Sequence, residues 1–249
     1  MKNYQDINAN VIDQWVDEGW EWGKPITKAI YQAALKGQWD VVLTPTVKVP
    51  HHWFPDFKGL KILGLASGGG QQMPIFTALG AECTVLDYSL KQLESERVIA
   101  KEMGYTINIV HADMTKPLPF ADDSFDLIFH PVSNSYIKDV KSVFKECYRV
   151  LKKGGVLLSG LDNGINYIVN EDETKIVNRM PFDPLTDEKI YKQCIDNDWG
   201  LQFSHTLEEQ IGGQLQAGFT LTDLYEDTNG AGHLHDLNIK TYIGTRCIK

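Results

Sequence analysis

No two of the four cysteines, Cys83, Cys147, Cys194 and Cys247, stand close enough in sequence to form a paired motif. This argues against a zinc knuckle or a disulfide framework and for free thiols in a reducing, cytoplasmic setting. Positive charge is also scarce, with 24 Lys and Arg against 33 Asp and Glu and a net charge of −9. A phosphate backbone finds little to bind in that balance, so nucleic acid is not an expected partner. No apolar run approaches the roughly 20 residues of a bilayer span, and the opening stretch MKNYQDINANVIDQW lacks the apolar core of a signal peptide. The histidines of His51–His52 and of HLHD (His233–Asp236) come without a third ligand at a usable spacing, so no metal is expected.

What is present is apolar content of 43% in 249 residues, enough for the core of one α/β domain. Short β-branched and apolar runs alternate with helical periods. The expected strands are 60–66, 82–88, TINIVHADM from Thr106, FDLIFHPV from Phe125 and VLLSGL from Val156. Helices are expected from about Met73, from Ser89 as N-cap to Gly104 as stop, and over YIKDVKSVFKECYRVL, with KKGG as a turn. A further helix and two strands close the chain after His205. The alternation predicts a doubly wound, seven-stranded, mostly parallel sheet with ligands at the carboxyl ends of its strands.

One stretch carries the chemistry. In KILGLASGGGQQMPIF a buried strand runs into Gly68, Gly69 and Gly70 and then into a helix, and Asp87 closes the next strand about twenty residues on. Glycines alone need only permit a tight turn. An acid at the end of the second strand adds an acceptor for a ribose diol, which points to a nucleoside-bearing ligand. A dinucleotide fingerprint requires a third glycine where Met73 stands, and this weakens the alternative of an NAD(P)-dependent oxidoreductase.

Five motifs in this order, GLASGGG, VLDYS, HADM, LPFADDSFDLIFH and CYRVLKKGGVLL, make the chain resemble the class I S-adenosylmethionine-dependent methyltransferases. The resemblance implies S-adenosylmethionine as cofactor. It implies a binding surface of Ala66, Ser67, Gly68, Gly69, Gly70 and Gln72 for the methionine portion, and Asp87 with Tyr88 and Ser89 at the ribose. Asp113 and Met114 would lie at the adenine, with Phe120 or a neighbour over the ring. The chain departs from the family in carrying Gly64 and Ala66 where many members have an acid and a glycine. Gln71, Gln72 or an N-terminal residue is expected to supply the missing contact.

Methyl transfer from a sulfonium needs alignment above all, and a base only where the acceptor must lose a proton. His130 is the candidate base and lines the expected cofactor site, while Ser133, Asn134 and Tyr136 of the following loop are expected to meet a small-molecule acceptor. A cofactor-binding module without turnover is the alternative outside the enzymes. The domain plan is an N-terminal helical cap over 1–57 holding five tryptophans (Trp15, Trp20, Trp22, Trp39 and Trp53), a cofactor-binding core over 58–161, an inserted cover over 162–205 and a C-terminal helix and strands over 206–249.

Overall fold

The computed structural model describes residues 3–249. Seven strands form one sheet in the order β3-β2-β1-β4-β5-β7-β6. They are β1 (Lys61–Leu65), β2 (Glu82–Asp87), β3 (Asn108–His111), β4 (Phe125–His130), β5 (Leu151–Asp162), β6 (Thr220–Asp227) and β7 (Tyr242–Ile248). Only β7 runs against its neighbours, pairing antiparallel with β5 and β6. Helices α3 (Met73–Ala78), α4 (Leu90–Met103), α5 (Val140–Val150) and α7 (Leu207–Ala217) are the crossovers. Two buried layers result. One packs α5 and α7 on Leu63, Leu65, Ile128 and Leu157; the other packs Trp53, Phe57 and Phe76 on Ile62, Val85, Leu127 and Phe129.

Local chemistry sets the boundaries. The Ser89 side chain caps α4 by accepting from the Gln92 N–H, and Gly104 ends that helix at φ +74°. KKGG is not a turn between elements. β5 begins at Leu151 directly after α5, and Gly154 at φ +79° accompanies a register irregularity opposite β4, so the glycines form a bulge inside one long strand. A short helix, α8 (His233–Asp236), precedes the last strand, which begins at Tyr242.

The strand order reverses between the parallel β1 and β4, and the crevice at their carboxyl ends is roofed by two additions. Helix α1 (Tyr4–Asp17) lies over α4, and α2 (Lys28–Ala34) lies beside α3. In the cover, α6 (Glu188–Asp196) and the segment behind it meet α1 through a small cluster of Cys194, Leu201 and Phe203 with Tyr4, Ile7 and Ile190. Asn8 stitches the two together: its Nδ2 donates to the carbonyls of Tyr136 (3.0 Å) and Leu201 (2.9 Å), and its Oδ1 accepts from the Leu201 N–H (2.6 Å).

Candidate active site

One cavity opens at this crevice, lined by the β1 and β2 loops, α1, the 42–45 segment, the loop after β4 and the cover. Of the residues expected at a cofactor, Ala66, Ser67, Gly68, Gln72, Asp87, Tyr88, Ser89, Asp113 and Met114 lie on its wall, as do Ser133 and Tyr136. Asp87 is held from both sides: Oδ2 accepts from the Gly68 N–H and Oδ1 from the Ser89 N–H, each at 3.0 Å. Burial raises its pKa, partly offset by those donors. Each oxygen keeps further lone-pair capacity toward the cavity. Asp113 is fixed in the same way, with Oδ1 accepting from the Thr115 N–H at 2.8 Å.

Gly69 and Gly70 are off the wall, and their place has a packing reason. The amides of Gly68, Gly69 and Gly70 all donate within the protein, to Asp87, to the Gln92 carbonyl and to Glu96 Oε2. A Cβ on Gly69 would come within 2.6 Å of the Trp22 carbonyl and of Gln92 Oε1, and one on Gly70 within 2.8 Å of Ile99. These two glycines let the cap and α4 close against the loop, and only Gly68 faces the cavity. Behind them Glu96 is wholly buried, held by the Gly70 N–H and the Tyr105 hydroxyl, and burial pushes its carboxyl up to about 7.

The departures from the family pattern also have local causes. A Cβ at Gly64 would meet Met73 Sδ at 2.8 Å, so the first residue of α3 occupies the space of the missing acid. Ala66 adopts φ +47°, the left-handed region for which glycine is the unstrained choice. Gln71 donates to the carbonyls of Glu21 and Lys24 and so ties the cap to the loop, whereas Gln72 accepts from Ser67 Oγ. Phe120 packs edge-on against Phe125 and does not reach the cavity.

His130 and Asn134 lie behind the wall. The His130 ring is fully buried, with Nδ1 2.9 Å from the Leu65 carbonyl and Nε2 2.8 Å from Asn134 Oδ1; Asn134 in turn donates to Gln210. Burial holds the imidazole below its usual pKa. A ring fully buried behind the wall, with both nitrogens turned to protein oxygens and no face on the cavity, is out of reach of a ligand's proton.

Of the five tryptophans of the cap, Trp20 and Trp22 reach the cavity, whereas Trp53 is buried and Trp39 stacks on His51. Several other wall residues escaped the sequence reading. Gln92, one turn into α4, leaves Oε1 without a partner beside the glycine loop. Tyr167, Gln202 and Tyr242 come from the cover and β7, and no local pattern marks them. Asp162, paired with Tyr242 but not itself on the wall, was readable, since it closes an apolar strand just as Asp87 does.

A family model described as a methyltransferase domain matches residues 63–159. Over 97% of this chain and 97% of its own length, an uncharacterized methyltransferase of Bacillus subtilis, YbaJ, is 43% identical. The chain belongs to the S-adenosylmethionine-dependent methyltransferases. This methyltransferase is also 35% identical to the ubiquinone/menaquinone biosynthesis C-methyltransferase UbiE of Haemophilus ducreyi, over 72% of the chain and 71% of that protein. Its fold matches an S-adenosylmethionine-dependent methyltransferase from Mesorhizobium loti with a TM-score of 0.60, over 80% of this chain and 94% of that one, at 19% identity.

Proposed function

We propose that the cavity binds S-adenosylmethionine through the β1–β3 loops and aligns its methyl group with a small-molecule acceptor entering from the cover side. The observation that carries this is Asp87: a carboxylate fixed by two backbone donors on the cavity wall, at the carboxyl end of the strand beside β1, with lone pairs left for a ribose diol. Asp113 and the Met114 backbone are assigned to adenine, and Ser67, Gly68, Gln72 and Gln92 to the methionine portion. The fit has support within the chain. Gln92 Oε1 is a buried acceptor without a partner, as an ammonium group requires.

When bound, the cofactor supplies an activated methyl group on a sulfonium. The chain's part is to orient and exclude water. Trp20, Trp22 and Ile12 of the cap close the cavity from one side, and Tyr136 and Tyr167 close it from the other. With His130 committed to Leu65 and Asn134, alignment rather than proton removal by this ring is the mode of catalysis we assign. Helix α1 and the cover of 162–205 act as the two lids of the core, and the four buried free thiols suit a cytoplasmic setting.

The test is incubation of the protein with methyl-labelled S-adenosylmethionine and a metabolite extract. Label is expected in a low-molecular-weight product. Label that passes only to macromolecules, or to nothing while the cofactor binds, overturns the reading.

A further inference from the structure

The wall formed by Tyr167, Gln202 and Tyr242 is shared. On its inner side is the cavity just described; on its outer side lies a second, polar recess lined also by Asn166, Asn170, Glu171, Glu173 and Asn229. Neither lining contains a Lys, Arg or His. Two buried oxygens beside this wall, Asp162 Oδ2 and Asn166 Oδ1, have no hydrogen-bond partner among the described residues. Both are acceptors. A buried acceptor left unmatched is costly, more so when charged, so a ligand that donates there gains in proportion.

Asp162 is the stronger of the two. It is directly opposite Tyr242 in the β5–β7 pair, which puts the two side chains on one face of the sheet as nearest neighbours. Its Oδ1 accepts from the Gly164 N–H at 3.0 Å, leaving Oδ2 alone. Burial pushes the carboxyl up to about 7. The titratable groups facing it are Tyr167 from the cover and Tyr242 from β7, with Tyr136 and Asp227 next to them and Glu171 and Glu173 across the outer recess; none of these described residues is a cation.

Resting on the methyltransferase reading of the inner cavity, we propose that the acceptor is an amine, lodged across the Tyr167–Gln202–Tyr242 wall with its nitrogen donating to Asp162 Oδ2. Anionic acceptors such as carboxylates or phosphates would meet acidic walls and no counter-charge, and an alcohol would leave the buried carboxylate uncompensated. An ammonium compensates it, and the tyrosine faces add cation–π attraction. The oxygen is covered, so Tyr167 or Gln202 must swing aside, which suits side chains on a cover held by a small cluster. For transfer, the ammonium first gives one proton to the Asp162 carboxylate. The free nitrogen lone pair then forms the C–N bond as the C–S bond breaks, and the C–S electron pair stays on sulfur.

The probes are benzylamine, benzyl alcohol and benzoate, titrated calorimetrically into protein saturated with S-adenosylhomocysteine. Saturation itself is checked first, so failure of the cofactor reading is seen separately. Benzylamine is expected to bind at least roughly tenfold tighter than the other two. Near neutral pH its binding should release protons to the buffer, because the arriving charge ionises Asp162. Asp162→Asn should abolish both the preference and the proton release while the protein stays folded and its S-adenosylhomocysteine affinity holds. Tyr242→Phe, which leaves the carboxylate in place, should keep the proton release. Benzoate or benzyl alcohol binding as well as the amine, no amine binding to the saturated protein, or an unchanged preference in Asp162→Asn overturns the proposal.

Discussion

The two halves of the cavity are held by very different amounts of protein. The half we assign to the cofactor sits on β1, β2 and α4, whose side chains belong to clusters of 19 and 18 buried residues. The half we assign to the acceptor is closed by α1 and the cover, which meet in a cluster of three buried residues and a few hydrogen bonds. Local opening draws on the least-packed contacts first, so the same architecture gives a rigid socket for one substrate and a movable lid for the other.

Three perturbations separate the halves. The largest effect is expected from Asn8→Ala, which strips two buried hydrogen bonds to Leu201 of the cover and a third, partly buried, to Tyr136 of the loop after β4, and strands those groups at a cost of about 3–5 kcal/mol locally. Hydrogen exchange should quicken over residues 4–17 and 199–203 while β1 to β4 stay protected. Equal loss of protection in the sheet would erase the distinction.

Next is Glu96→Gln. Burial raises this carboxyl from 4.5 to about 7, so across that interval the native state holds a proton that the unfolded chain has released. The stability it contributes is complete below about pH 4.5 and is lost as pH rises through about 7, a change of about 3 kcal/mol. Asp162, raised from 3.8 to about 7, acts in the same direction. Denaturant titrations between about pH 5 and about pH 8 should show stability falling with pH in the parent and falling less in Glu96→Gln. An identical slope would mean that Glu96 is ionised in the fold throughout.

The smallest effect is at Ala66. Its φ of +47° costs an L-residue about 1–2 kcal/mol, and glycine loses about 0.5–1 kcal/mol of chain entropy on folding. Ala66→Gly should therefore stabilise by less than about 1 kcal/mol, read as a small rise in melting temperature. A fall would show that the neighbours require the methyl group.

The same contrast governs what the sequence disclosed. The β1 to β5 elements and the residues Asp87, Asp113 and Gly68 are legible because each is fixed within one strand–loop–helix unit, where period, cap and strand-end acid lie close together in the chain. Asp87 is oriented by Gly68 and Ser89, no more than 19 residues away. The acceptor half is assembled from Asn8, Tyr136, Tyr167, Gln202 and Tyr242, residues spread over the whole chain that meet only through tertiary packing. His130 shows the limit of position alone. It stands at the carboxyl end of β4 as expected, yet its ring turns inward to Leu65 and Asn134, a choice set by partners 65 residues back and four ahead. Gly69 and Gly70 show it again, since what forbids a side chain there is the cap's Trp22 and Pro25 and helix α4.

The claim on which both halves depend is that Asp87 receives the ribose of the cofactor, and titration of S-adenosylhomocysteine into the parent, Asp87→Asn and Asp87→Ala tests it most directly. Removing a charged acceptor from two hydroxyls should weaken binding by about 2–4 kcal/mol in Asp87→Ala, with Asp87→Asn between it and the parent. Parent-like affinity in folded Asp87→Ala would contradict the account.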